Sequence, residues 1–158
     1  MRIDDQTDGS NIDARISRSF SASPDIVFQY WITAESLGLW LAPNGFVVTL
    51  AETDPAEGGK WQVEMRSDDG EVYLEYGDYR EIDGPKKLVF TLTSALGSEV
   101  GPRTMVTVEL TRDGNRTAMA FLQEGFETVE RRDDNVRGWN ECFDKLEAIV
   151  VPRGKTFR

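Results

Sequence analysis

The feature that most narrows what this chain can fold into lies near its end. Val136, Trp139, Phe143, Leu146 and Val150 are separated by steps of 3, 4, 3 and 4, and Cys142 and Ile149 widen the stripe. That is the spacing of one apolar face of an α-helix. The helix is expected over residues 130–150, with Pro152 closing it. At about 1.5 Å per residue, such a segment is a rod roughly 30 Å long. An apolar stripe of that length has to be covered from end to end.

The residues before it supply the cover as strands. Segments 45–53, 59–66, 71–82, 86–93, 103–111 and 116–124 are rich in Val, Thr, Tyr and Phe, which suit a pleated, half-buried surface. Between them stand Asp54-Pro55, Gly58-Gly59, Asp69-Gly70, Asp83-Gly84-Pro85, residues 97–102 and Asp113-Gly114-Asn115. These are turn signals at hairpin spacing, so a meander of antiparallel strands is expected. Only a strongly bent sheet covers a rod along its length.

Ahead of the meander, residues 14–20 alternate, with Ile16, Arg18 and Phe20 set against Arg15, Ser17 and Ser19. They read as a first strand whose face pattern Arg18 blurs. Ser23, Pro24 and Asp25 then make a helix start: a cap, a residue suited to the first helical position, and an acid at the positive end of the dipole. Ile26, Val27, Tyr30 and Trp31 follow at helical spacing, and a second short helix from about Ala34 carries Leu37, Trp40 and Leu41 up to Pro43. The expected fold class is α+β, in the order β-α-α-β6-α, as one domain over residues 14–151. Residues 1–13 are polar, four of them aspartate, and read as a mobile lead-in; residues 152–158 read as a basic tail.

The totals exclude several function classes. A formal charge of −10 argues against nucleic acid as a partner, because phosphate binding draws on clustered Lys and Arg. No apolar run approaches ~18 residues and the start lacks a secretory pattern, so neither membrane insertion nor export is expected and the location reads as cytoplasmic. The single Cys142 cannot form an internal bridge. There is no histidine, which removes imidazole bases, Ser–His and Cys–His pairs and His-containing metal sites. No cofactor is expected. Any acid–base chemistry falls to Asp, Glu, Lys, Tyr or Cys142.

A bent sheet and a helix in its mouth leave room where the layers splay apart, typically ~300–1,000 Å³ in ligand sites. Trp61, Val63 and Met65 share one strand face; Leu88, Phe90 and Leu92 make a second apolar face, and Val106, Val108 and Leu110 a third. Met119 and Phe121 are read onto opposite faces of their strand, so that one at most points inward. The candidate pocket lining is Trp31, Trp40, Trp61, Val63, Met65, Phe90, Val108, Met119, Phe121, Trp139 and Phe143. Ordinary core packing also accounts for apolar residues at period two. The four tryptophans carry more weight, because each N–H needs a partner and the residue suits sites half apolar and half wet.

The polar motifs read mostly as structure. Asp68-Asp69-Gly70 supplies too few oxygen ligands for a calcium loop and reads as a hairpin turn. Gly58-Gly59-Lys60 lacks the spacing of a phosphate loop and precedes a strand. Glu71, Glu75, Asp78 and Glu81 share a segment with Tyr73, Tyr76, Tyr79 and Arg80, and most of these carboxylates are expected to face solvent or pair with cations. Cys142 is read as a buried, inert thiol.

Several pieces of the chain resemble a known superfamily. They are Phe20-Ser21-Ala22-Ser23-Pro24-Asp25-Ile26-Val27-Phe28, Trp40-Leu41-Ala42-Pro43, Gly58-Gly59-Lys60-Trp61, Asp69-Gly70-Glu71, Gly77-Asp78-Tyr79-Arg80-Glu81-Ile82, Lys87-Leu88-Val89-Phe90-Thr91, Gly114-Asn115-Arg116-Thr117 and Gly138-Trp139. In order and spacing these are similar to the START-like, or SRPBCC, superfamily, and within it to the bacterial proteins named as homologues of the activator of the Hsp90 ATPase. The resemblance implies the helix-grip fold, a curved antiparallel sheet wrapped around the C-terminal helix. It also implies binding, carrying or sensing of a hydrophobic or aromatic small molecule between sheet and helix. Other members are cyclases and aromatases, which makes an enzyme using a pocket carboxylate or one of Tyr30, Tyr73, Tyr76 and Tyr79 the alternative. The family name adds a chaperone partner as a third reading, and a homodimer is a further one. No universal catalytic residue carries over.

Overall fold

Residues 12–151, the range that the computed structural model describes, form eleven elements. The basic tail, and all of the polar lead-in but its last two residues, lie outside that range. The strands are β1 (Asp13–Phe20), β2 (Phe46–Thr53), β3 (Lys60–Ser67), β4 (Val72–Asp83), β5 (Lys87–Leu96), β6 (Glu99–Val100), β7 (Thr104–Asp113) and β8 (Arg116–Glu124). The helices are α1 (Pro24–Ile32), α2 (Ala34–Trp40) and α3 (Val129–Val150). Each expected strand and helix is present, with ends displaced by a few residues.

The difference is β6. It lies inside the stretch expected to be a loop, pairs with β5 through Ala95–Val100 and Leu96–Glu99, and turns on Gly97 at φ +62°. Accordingly β5 runs on to Leu96, three residues beyond its expected end. One side of β5 is thereby shared, with Lys87–Leu92 paired to β7 and its last residues to β6.

All pairings are antiparallel, in the order β1-β8-β7-β5-β4-β3-β2. The two short helices carry the chain from β1 at one edge to β2 at the other. The Ser23 hydroxyl accepts a hydrogen bond from the Ile26 N–H and starts α1, which buries Pro24, Val27, Phe28 and Trp31. Ile26 itself points to solvent, off that face. Thr33 ends α1 and opens α2. On α3, Thr128 accepts from the Arg131 N–H at 3.1 Å, and Trp139, Cys142, Phe143, Leu146 and Val150 are buried.

The register fixes which side chains face the helix. Trp61 stands opposite Gly77, Val63 opposite Glu75, and Met65 opposite Tyr73. Alternation then puts Tyr73, Glu75 and Gly77 on the same inward face as the β3 residues. Met119 and Phe121 correct the expectation stated above: two residues apart on one strand, they share a face, and both are almost fully buried. Register irregularities between Val48 and Leu50 and between Tyr79 and Glu81 mark bulges, which bend the strands that carry them.

Two residues before the second irregularity, at Gly77, the backbones of β4 and β5 come close. A Cβ on Gly77 would stand 1.8 Å from the Thr91 carbonyl oxygen, so glycine is required there. The Trp61 indole donates to that same carbonyl at 3.0 Å, while the Asp78 N–H donates to the Thr91 hydroxyl at 2.9 Å. Side chains thus take up the Thr91 carbonyl and the Asp78 N–H in a stretch that the β4–β5 register skips.

Arg18, which blurred the alternation of β1, has a structural task. It stands opposite Met119 and reaches α3, donating to Asp144 and Glu147 at 2.9 Å each and to Asn140. Helix α3 packs against β1, α1 and α2. Over the middle strands it stands away from the sheet, and a cavity opens there.

Candidate functional site

The cavity has a volume of about 900 Å³, at the upper end of the range common for small-molecule sites. Phe46 of β2, Met65 of β3, Tyr73 and Glu75 of β4 and Ser94 to Leu96 of β5 form the sheet side. Gly138, Trp139 and Cys142 form the helix side, with Leu41 and Pro43 at one end. The charged residues Glu99, Glu127, Arg131, Asp134 and Arg137 stand with them around the opening.

Glu75 is the polar centre of the sheet side. It occupies an interior row between Val63 and Ser94, and the Ser94 hydroxyl donates to its carboxylate at 3.2 Å. Among the described residues, no Lys or Arg makes an ion pair with it. Burial among apolar walls pushes its pKa from the ordinary 4.5 up to about 7, against the opposing pull of the Ser94 hydrogen bond. At neutral pH this carboxyl therefore exchanges between charged and neutral forms. Cys142 faces it from α3, and burial, reinforced by the nearby Glu75 charge, pushes that thiol well above its usual range. Cys142 is buried and inert as a nucleophile.

Behind the cavity lies an aromatic wall. Trp139 packs on Phe121 with ring centres 4.7 Å apart and on Phe143 at 5.5 Å. Its indole N–H donates to Gln123 at 2.8 Å. A small void of about 10 Å³ sits among Trp31, Leu37, Leu41, Trp61, Tyr79, Phe90 and Trp139. It shares Leu41 and Trp139 with the large cavity. The Trp31 N–H is buried with no hydrogen-bond partner among the described residues.

Of the residues expected to line a pocket, Met65 and Trp139 border the large cavity, and Trp31, Trp61, Phe90 and Trp139 border the small void. Trp40, Val63, Val108, Met119, Phe121 and Phe143 are buried in the packing behind these spaces. Trp40 donates to the Tyr30 carbonyl at 2.9 Å. Residue-by-residue reading missed the inward placement of Glu75, together with Ser94, Phe46 and Gly138. The signal was the turn at Asp69-Gly70, which pairs Arg66 with Val72 and so sets Glu75 against Val63.

The remaining acidic residues behave as expected. Glu81 pairs with Lys87 at 3.5 Å, and Asp78 with Arg80 at 3.1 Å. A hydrogen bond from Thr91 holds the Asp78 carboxyl below its usual range; burial opposes it, and the Arg80 hydrogen bond and the Arg80 and Lys60 charges add to the lowering. Asp68-Asp69-Gly70 is a turn with Gly70 at φ +92°, and no metal-binding group of three or more carboxylates or Cys occurs among the described residues. None of the described helices is long and apolar enough to cross a membrane.

Comparison with known proteins agrees with this architecture. The family described as Activator of Hsp90 ATPase homolog 1-like protein matches residues 21–151. A crystal structure of a protein from Chromobacterium violaceum superposes with a TM-score of 0.81 at 24% identity, covering 89% of this chain and 98% of the other. The solution structure of a protein from Arthrobacter aurescens gives 0.78 at 23% identity, covering 90% and 87%. The AHSA1 protein from Silicibacter pomeroyi gives 0.77 at 22% identity, covering 86% and 95%. No curated protein matches the chain. At these identities the structures establish the shared helix-grip fold.

Proposed function

This chain belongs to the Activator of Hsp90 ATPase homolog 1-like protein family, and from that premise we propose that it binds a hydrophobic or aromatic small molecule between the sheet and α3. The observation that carries this reading is the cavity of about 900 Å³ where α3 leaves the inner face of β3 to β6. Its walls are mixed: apolar side chains such as Phe46, Met65, Leu96 and Trp139 share the lining with Glu75, Ser94 and the charged residues of the opening, and small-molecule sites combine apolar surface with placed polar groups. The domain then acts as a carrier or sensor.

Titration of intrinsic tryptophan fluorescence tests it, because Trp139 borders the cavity. Neutral aromatic compounds should give saturable, one-to-one changes and raise the melting temperature. Binding to the native state alone adds about 2.7 kcal/mol of stability when the ligand is at 100 times its Kd. A panel that moves neither signal contradicts the reading.

Glu75 favours a second reading, acid–base chemistry on the bound molecule, since a carboxyl poised near 7 suits proton transfer at neutral pH. Under that reading, turnover depends on a group titrating near 7 and is lost in Glu75→Gln while the bound compound still protects against unfolding. Turnover that survives Glu75→Gln contradicts it.

A further inference from the structure

We infer that the ligand carries a protonated amine on an apolar or aromatic body, and that the amine sits against Glu75. This rests on the binding reading above and names the class of ligand that the same cavity accepts.

The argument starts from what Glu75 lacks. It lies on the inward face of β4, held by one neutral hydroxyl, with Val63 across one strand pair and Ser94 across the other. A carboxylate among apolar walls is costly unless a cation joins it. Among the described residues, none supplies that cation.

The surroundings favour a cation from outside. Tyr73 faces the cavity from β4, Cys142 and Trp139 from α3, and Phe46 from β2. The three aromatic rings offer negative π faces, which attract an ammonium group. At the opening, Asp134 is engaged by Arg137 at 3.2 Å. That leaves Arg131 against Glu99 and Glu127, so the lining holds four carboxylates and two guanidinium groups. A negative funnel concentrates cations and repels anions, and the chain's charge of −10 acts in the same direction.

Protonation sets the pH dependence. Without ligand, Glu75 neutralises itself by holding a proton below about 7. An ammonium ion favours the ionised form, so it competes with that proton. Amine affinity therefore rises with pH up to about 7, then levels until the amine itself deprotonates.

Three probes of one skeleton test this: 2-(1-naphthyl)ethylamine, 2-(1-naphthyl)ethanol and 1-naphthylacetate. At pH 8 the amine should bind about tenfold tighter than the alcohol, the scale of one charge-assisted hydrogen bond, and the acetate more weakly than either. The amine-to-alcohol ratio should fall from about ten at pH 8 to about one at pH 5, as Glu75 takes up its proton, the alcohol showing no such slope. In Glu75→Gln the ratio should be about one at every pH, whatever the absolute affinities. Alcohol or acetate binding as tightly as amine at pH 8, or a preference for amine that survives in Glu75→Gln, overturns the inference and leaves the cavity reading standing. Failure of all three to bind overturns both. If the variant does not fold, the wild-type pH slope decides alone.

Discussion

The indole N–H of Trp139 donates to the side-chain oxygen of Gln123 at 2.8 Å, and through that bond the wall of the cavity is tied to the sheet. Gln123 is 1% exposed and passes the connection on, donating to the Thr104 hydroxyl at 2.9 Å, which donates to the Leu92 carbonyl at 2.7 Å. Four elements, α3, β8, β7 and β5, are joined by this buried polar chain. It sets the angle at which Trp139 meets the cavity.

Gln123→Leu fills much of the same space but leaves the Trp139 N–H without a partner. Stability should fall by about 2–4 kcal/mol, the scale of a buried donor left unsatisfied together with lost hydrogen bonds. Urea denaturation measures the loss. Trp139 emission should broaden as well, because the indole is no longer held at one angle.

Glu75 gives a pH dependence whose sign is fixed by its raised pKa. The folded carboxyl titrates near 7 and the ordinary value is 4.5, so between those values the native state holds a proton that the unfolded state has released. The contribution to stability is complete below about 4.5 and is lost as pH rises through about 7. Glu75→Gln removes the charge and keeps the shape. It should therefore melt several degrees above the wild type at pH 8, a difference of roughly 2–3 kcal/mol, and close to it at pH 5. Calorimetry at the two pH values checks this.

Gly77→Ala should be among the most damaging small substitutions. The added methyl carbon would meet the Thr91 carbonyl oxygen at 1.8 Å, so one backbone must move and the Trp61 and Asp78 bonds to Thr91 go with it. A loss of about 3 kcal/mol or more is expected, the scale of severe overpacking with broken buried bonds. Chemical denaturation would show it, as would poor soluble yield.

Arg18 clamps β1 to α3, with its own side chain 19% exposed but Asp144 73% and Glu147 44% exposed. Solvent screening on the acidic side limits the effect. Arg18→Met should cost about 1–2 kcal/mol, and the gap from wild type should narrow in 1 M salt. Equal melting temperatures at low salt would show that the clamp contributes nothing.

The fold was legible because its signals are local. Val136, Trp139, Phe143, Leu146 and Val150 announce α3 by spacing alone, and Asp69-Gly70 and Asp113-Gly114 announce hairpins by turn chemistry. The family motifs at Trp40-Leu41-Ala42-Pro43 and Gly58-Gly59-Lys60-Trp61 pointed to the same architecture. Glu75 was obscured because both faces of β4 carry apolar or aromatic residues: Val72, Leu74 and Tyr76 alternate with Tyr73 and Tyr79, and neither face reads as the inward one. β6 was hidden because two residues carry no periodicity. Met119 and Phe121 were misassigned by a wrong count of faces on one strand, not by any ambiguity in the residues.

The central claim is that the space between α3 and the sheet holds a small molecule, and Gly138 allows a direct test. It borders the cavity from α3, and a Cβ placed on it has a single neighbour within 4 Å, the Pro43 ring at 3.9 Å. The Cβ of Gly138→Leu meets no clash, so the side chain should project into the space and, by replacing glycine within a helix, raise stability by up to about 1 kcal/mol. The measurement is equilibrium binding of the neutral fluorophore N-phenyl-1-naphthylamine to both proteins. The account predicts saturable one-to-one binding to the wild type and at least tenfold weaker binding to a Gly138→Leu protein that melts no lower. Equal binding to the two proteins, or none to the wild type, would contradict it.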